Sequence, residues 1–437
     1  MTQADHTVRH DHHAGSSPRR VAAGAAVGQF VEWYDYGIYG FLAVPIAATF
    51  FASQDPTTAL LSTFAVFAVP FVARPFGGVL CGYLADRFGR QKVLVGVLML
   101  ISAATVLIGL LPGLATIGIA APILLVLFRL MQGVSAGGEI VSAMSFVAEH
   151  APLGKRAFYM CWGQTGSFLA LLAGNLAGLG LTVALSEEQL LAWGWRIPFL
   201  LALPLALIGI YLRRRLDESP AFLAALKAAS AEQRQPLRAS LAVPAVRRAI
   251  MRCGALSLLN SSGYYALLTY MPTYLKTELG HSQGQAFAAT GTAVAVLLVL
   301  IPFGAVLADR IGRRPVIIGA SLAVALTAVP GFLLLRQGGL SMVLGLTMIA
   351  AAFAFYTGTI HAALAELFPT SVRVTAYSVG YNFSTAVFGG AAPFLMIYLI
   401  GLTGSSLIPA VYMVLTALGT GIAALSLGET RAAELPN

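Results

Sequence analysis

Charge is scarce in this chain: 10% of its 437 residues are Asp, Glu, Lys or Arg, where an average soluble protein carries about 25%. Hydrophobic residues make up 58% and mean hydropathy is +0.80, which excludes a soluble globular body. Cysteine is almost absent. Cys81, Cys161 and Cys253 lie scattered in or beside apolar runs, so neither a disulfide framework nor a cysteine metal site is expected. A phosphate-cradling glycine loop, a nucleophile elbow and a metal-ligand cluster are all missing, and the expectation is no enzyme, no cofactor and no metal. Period-two alternation is missing too, which excludes a closed barrel. No secretory leader pattern opens the chain.

What is present is a series of about twelve apolar runs, beginning near residues 22, 58, 92, 118, 157, 194, 248, 286, 315, 341, 375 and 406. Each is long enough for a helical span, which needs about 20 apolar residues. The runs fall into two related sets of six. Gly82-Tyr-Leu-Ala-Asp-Arg-Phe-Gly-Arg-Gln-Lys92 recurs as Gly304-Ala-Val-Leu-Ala-Asp-Arg-Ile-Gly-Arg-Arg314. Ala148, Glu149, Pro152, Arg156 and Gly163 recur as Ala365, Glu366, Pro369, Arg373 and Gly380, at a constant offset of 217 residues. Two motifs repeated in the same order mean duplication of a whole half, and parallel repeats of this size build many secondary transporters. The expected fold is therefore all-α and integral to the membrane, with twelve transmembrane helices in two parallel-related six-helix bundles. The expected division is a disordered cytoplasmic N-terminus at 1–20, bundles at 21–213 and 248–428, a cytoplasmic linker at 214–247 and a tail at 429–437.

The net charge of +9 marks topology rather than nucleic acid. With both termini inside, 22 of the 27 Lys and Arg residues fall on the cytoplasmic side, as the positive-inside rule requires. A multi-pass protein of the plasma (inner) membrane follows. The polar N-terminus carries His6, His10, His12 and His13, and is read as a solvated end rather than a metal-binding tail.

The Gly82–Lys92 segment closely matches the loop after the second helix that is the hallmark of the major facilitator superfamily, and the chain resembles that superfamily. Val27-Gly-Gln-Phe-Val-Glu-Trp-Tyr-Asp-Tyr-Gly-Ile-Tyr-Gly40, Ala73-Arg-Pro-Phe-Gly-Gly78 and Arg129-Leu-Met-Gln-Gly-Val-Ser-Ala-Gly-Gly-Glu139 look like its metabolite:proton symporter family. Members of that family carry alpha-ketoglutarate, citrate, shikimate, or proline and betaine. The resemblance runs from about residue 20 to 430 and is specific for the family, not the substrate. The osmosensing proline/betaine branch typically ends in a long coiled coil. No heptads follow the last span here, which points away from that branch. Gly166 is followed by Ser167 where the antiporter signature has proline, which favours symport.

Ions placed at mid-bilayer cost roughly 2.5 to 3.5 kcal/mol each on insertion scales and are functional candidates by default. Counting helix rise at about 1.5 Å per residue, Glu32, Asp35, Arg74 and Arg129 reach similar depth. Glu32 and Asp35 are three apart and are expected to share a helix face. Sugar:proton symporters of the superfamily couple protons through an acid in span one and an arginine in span four. The resemblance thus implies Asp35 as proton carrier and Arg129 as its partner, with Glu32 the rival. A permanent structural pair between spans one and four is the alternative. Arg74 offers a guanidinium fork suited to a substrate carboxylate, unless it neutralises Glu32. Tyr34, Gln132, Gln164, Asn260, Tyr264, Tyr265, Tyr356, Tyr381 and Asn382 complete the expected pocket, with the second half supplying only neutral groups. His361 is read as a packing residue, and Tyr270 and Tyr274 as interface anchors. Gating is expected from Asp86, Arg87 and Arg90 with Asp309, Arg310 and Arg313, with Glu139 beside the Arg90 loop. Glu149 with Arg156, and Glu366 with Arg373, are read as the repeated partners of one latch.

The expected activity is proton-driven uptake of a small organic anion, a di- or tricarboxylate or related acid, by alternating access. A zwitterion symporter for proline or betaine is the alternative, with an aromatic cage from Trp33 and Tyr34 or from Tyr264 and Tyr265. A metabolite sensor that does not transport is a third. The partners expected are a carboxylate substrate, protons and the bilayer, without nucleic acid, and the working unit is expected to be a monomer.

Overall fold

The computed structural model describes residues 18–51, 55–88, 90–137, 139–214, 243–369, 372–431 and 435. The expected tail before Pro18 and most of the expected linker, from 215 to 242, lie outside them. Every regular element among the described residues is helical. Span one is Pro18–Phe41 continued by Ala43–Phe50, span two Pro56–Phe88 and span three Arg90–Leu110. Span four is Ala120–Ala136 with Glu139–His150, span five Arg156–Ala184 and span six Arg196–Arg214. In the second half, span seven begins with Pro244–Leu256 and ends with Met271–Thr277. Spans eight, nine and ten are Gln283–Ile311, Arg313–Leu335 and Gly339–Glu366. Span eleven starts as Arg373–Thr385 and finishes as Ala392–Thr403, and span twelve is Ile408–Leu425. Each begins within a few residues of its apolar run.

Among the described residues, eight helices are long and apolar enough to cross a membrane, and Val95–Leu110 and Arg196–Leu205 are shorter apolar stretches. Span one falls short because Gln29, Glu32 and Asp35 dilute its hydropathy, and span seven because the polar stretch from Asn260 to Tyr265 dilutes its own; the helices of spans seven and eleven are both interrupted.

The interruptions are π-helical turns, Gly263–Thr269 in span seven and Ala386–Gly390 in span eleven. A π-turn inserts a residue and widens the helix, and Tyr264 and Tyr265 on this turn are both buried. The turn in span eleven presents Gly390 to the Phe71 ring of span two so closely that a β-carbon there would enter the ring. Glycine at that point allows the halves to meet.

Span five packs along span one in its own half and along span eight of the other. Span two meets span eleven on the opposite side. The contact between spans one and five is backbone to backbone at Gly166, where a β-carbon would collide with the Ala26 carbonyl. Gly166→Val is therefore expected to separate the two spans and cut the yield of folded protein severalfold in detergent extracts. Unchanged yield and melting temperature would contradict this contact.

Candidate functional site

Four buried ions sit in the first half, and the structure divides them between two environments. Glu32, Asp35, Arg74 and Arg129 are all at most 3% exposed. Glu32 and Asp35, expected to share a helix face, have different surroundings. A three-residue step on a helix leaves about 60° between side chains, enough here to send Glu32 toward span two and Asp35 toward spans three and six.

Arg74 is the core of the first environment. Its guanidinium lies 3.8 Å from Glu32 and 5.0 to 5.3 Å from the ring centres of Trp33, Tyr36 and Phe71. None of its three nitrogens makes a hydrogen bond. Trp33 is fixed by donating from Nε1 to the Gln29 side-chain carbonyl at 2.8 Å, and Ser167 of span five donates to the same oxygen at 3.2 Å. The second half closes over this group with aromatics. Tyr264 stands edge-on to Trp33 at 4.7 Å, and Tyr265 edge-on to Phe71 at 5.1 Å. Gln164 Nε2 donates to Asn260 across the halves at 3.4 Å, and Asn260 Nδ2 donates to the Tyr381 hydroxyl at 3.2 Å. Asn382 reaches the Gly137 carbonyl at 3.5 Å.

Other expected pocket residues lie elsewhere. Tyr34 donates to the Pro198 carbonyl of span six, so it shares no cage with Trp33. Tyr356 donates to the Leu256 carbonyl at 2.6 Å and accepts from the Asn260 amide, which ties span ten to span seven. His361 contacts the Tyr377 hydroxyl through Nδ1 at 2.5 Å, in keeping with packing. Tyr270 and Tyr274 are not interface anchors. Both are fully buried, Tyr270 against Phe64 of span two across the halves and Tyr274 against Phe332 and the Ser406 carbonyl within the second half.

Arg129 organises the second environment. It donates to the Gln132 side chain at 2.8 Å and to the Phe67 carbonyl at 3.0 Å, in a stretch of span two where Pro70 removes one backbone bond. Gln132 in turn donates to the Thr105 hydroxyl of span three at 2.8 Å. Arg129 forms no ion pair with Asp35 in this conformation. Both Asp35 oxygens are without a hydrogen-bond partner.

At the basic end, the latch partners are exchanged relative to the expectation. Arg156 pairs with Glu366 at 2.7 Å, and Arg373 pairs with Glu149 at 2.7 Å, so each pair joins one half to the other rather than closing within it. The repeat explains the swap, because two equivalent acid–arginine sets facing each other across a pseudo-twofold satisfy one another. Asp309 adds a third link by accepting from the Ala157 and Phe158 amides at the start of span five, at 3.1 and 2.9 Å. Arg313 holds Asp309 at 2.7 Å and Glu366 at 3.2 Å. Arg310 is exposed, and its carbonyl accepts from Arg431. The side chains of Asp86, Arg87, Arg90 and Glu139 lie outside the described residues. At the opposite end Lys276 pairs with Glu187 at 2.9 Å, and this lysine holds the Glu187 carboxyl below its usual range.

A buried acid serving two arginines is costly to neutralise, since losing one partner of a buried pair costs about 3 to 5 kcal/mol. Glu366→Gln is expected to loosen the basic end. In protein retaining Cys161 as its single cysteine, buried on span five, thiol alkylation should accelerate at least tenfold, and Glu149→Gln should have a smaller effect because Glu149 is partly exposed. Equal alkylation rates in all three proteins would show that these pairs do not close that end.

The all-helical fold is matched by comparison with known proteins. The Major Facilitator Superfamily profile matches residues 25–384 and 255–436. The chain belongs to the Major Facilitator Superfamily. Relatives of this superfamily member include the proline/betaine transporter of Salmonella typhimurium, 37% identical over 423 residues, covering 94% of this chain and 84% of the relative. The glycine betaine/proline/ectoine/pipecolic acid transporter OusA of Dickeya dadantii is also 37% identical, covering 94% and 83%. The citrate-proton symporter of Salmonella typhi is 34% identical over 403 residues, covering 92% and 91%. Among solved structures, the proton:xylose symporter XylE superposes with a TM-score of 0.77 at 19% identity, covering 96% of this chain and 98% of that one. These relatives are transporters and symporters. The acid-uptake expectation is the one they support less, because proline/betaine transporters stand among them at higher identity than the citrate symporter.

Proposed function

We propose that this superfamily member is a proton-coupled importer of a small zwitterion of the proline or betaine class. The observation that carries the reading is Arg74. It is a buried guanidinium with no hydrogen bond, one long contact to Glu32 and an aromatic wall that extends across the halves. A zwitterion fits by splitting the pair. Its carboxylate takes the Arg74 fork, while its cationic end takes Glu32 and the faces of Trp33, Tyr264 and Tyr265. A tricarboxylate needs more positive charge than this cluster offers, since Arg129 is already engaged with Gln132 and Phe67. The proline/betaine relatives support the same choice, while the citrate-proton symporter supports the acid reading.

In this account the basic end faces the cytoplasm, and the latch holds that end shut in the present conformation. Asp35 carries the proton. Substrate entering between Glu32 and Arg74 reorders span one, and the two halves rock about the site. Displacement of bound labelled proline from purified protein tests the substrate class. Betaine should compete and citrate should not; competition by citrate alone would restore the acid reading.

A further inference from the structure

Beside Asp35 lies a cavity of about 10 Å³ between spans one, three and six, lined by Val31, Tyr34, Asp35, Ile101, Ser102, Thr105, Ala202 and Leu205. It is about large enough for a single water. Span one separates it from the Arg74 cluster, because Trp33 and Tyr36 face that cluster while Tyr34 and Asp35 line the cavity. Two hydroxyls share the space with the carboxylate. The Thr105 hydroxyl donates to the Ile101 carbonyl one turn back at 2.8 Å and accepts from Gln132 at 2.8 Å, and Gln132 accepts from Arg129. The charged groups within electrostatic reach of Asp35 are Arg129 on span four and Glu32 on its own span, and Tyr34 is the titratable neighbour on the cavity wall.

We infer that Ser102 and Thr105 are positioning residues of the proton site, and that protons reach Asp35 from the side of spans three and six rather than through the substrate cluster. This rests on Asp35 being the proton carrier. When Asp35 is protonated, the Thr105 hydroxyl keeps its bond to the Ile101 carbonyl. When Asp35 gives its proton to water, the hydroxyl rotates and donates into the cavity, toward the carboxylate or a water bound to it. Ser102 donates alongside. The Gln132 bond to Thr105 persists through this rotation and makes Arg129 sensitive to it, so the proton state of Asp35 is communicated to span four without an Asp35–Arg129 ion pair.

The test is the pH dependence of proton-driven uptake in proteoliposomes, together with infrared titration of the buried carboxyl band in the same full-length protein. A hydrogen bond to an ionised group contributes enough that its loss should shift a titration by about one pH unit or more. Thr105→Val removes a donor to the anion and favours the neutral acid, so both midpoints should move to higher pH by that amount. Thr105→Ser should restore them. Ser102→Ala should move them the same way by less, and carries the test if Thr105→Val does not assemble. A role confined to packing would lower the amount of protein and leave the midpoints in place, which overturns the inference. Asp35→Asn separates the two levels of the argument. Loss of the titrating band in Asp35→Asn with no shift in Thr105→Val rejects the role of the hydroxyls alone, whereas a band that survives Asp35→Asn rejects the proton carrier itself.

Discussion

Asp35→Asn is expected to abolish proton-driven accumulation while leaving exchange of internal for external substrate in place. At one proton per substrate, an inward gradient of one pH unit supports up to about tenfold accumulation, equivalent to about 1.4 kcal/mol. In the variant that ratio should fall to one. The physical reason is that the carboxyl is buried, without a hydrogen-bond partner, and outside the Arg74 cluster, so its amide isostere removes the proton without removing a substrate contact. Exchange needs only the rocking of loaded protein and does not require the proton to leave. Measured counterflow near the wild-type rate with no accumulation is the expected pair of results. Accumulation that persists in Asp35→Asn would remove this residue from coupling and direct attention to Glu32.

Arg74→Lys should weaken substrate binding by at least tenfold, and Arg74→Gln by about a hundredfold, or about 2.7 kcal/mol. Lysine keeps the charge but presents a point rather than a fork, and its stem does not stack against Trp33, Tyr36 and Phe71 as a guanidinium does. Glutamine also leaves Glu32 without its cation. Isothermal titration of purified protein with proline or betaine reads the effect directly. Comparable affinity in all three proteins would place the carboxylate elsewhere.

Much of the fold is legible in the sequence because bilayer thickness imposes span length and the duplicated motifs announce their own repeat. Glu32, Asp35, Arg74 and Arg129 are legible for a similar reason, since ions stand out in apolar runs. What is not legible is which partner each ion has. The latch shows why: the offset between Glu149 and Glu366 reveals equivalence, but equivalence alone does not distinguish pairing within a half from exchange between halves. The π-turns at Gly263–Thr269 and Ala386–Gly390 have no strong local signal, although consecutive tyrosines at 264 and 265, and consecutive glycines at 389 and 390, mark where they fall. Thr105 and Ser102 are invisible to sequence reading for a different reason. A hydroxyl in an apolar helix usually bonds its own backbone, and only the cavity next to Asp35 distinguishes these two from the many that do only that. The substrate class is the least legible feature: the missing heptads after the last span are remote from the Arg74 cluster, whereas the Arg74–Glu32 pair and its aromatic wall bear on substrate chemistry directly.

The most direct measurement is current across solid-supported membranes loaded with the purified protein, on addition of proline or betaine at symmetric and at graded pH. A net-neutral zwitterion carried with a proton moves one positive charge inward. The account expects a substrate-evoked inward current that grows with an inward proton gradient and disappears in Asp35→Asn. Substrate uptake without current, or current evoked by citrate and not by betaine, would contradict it.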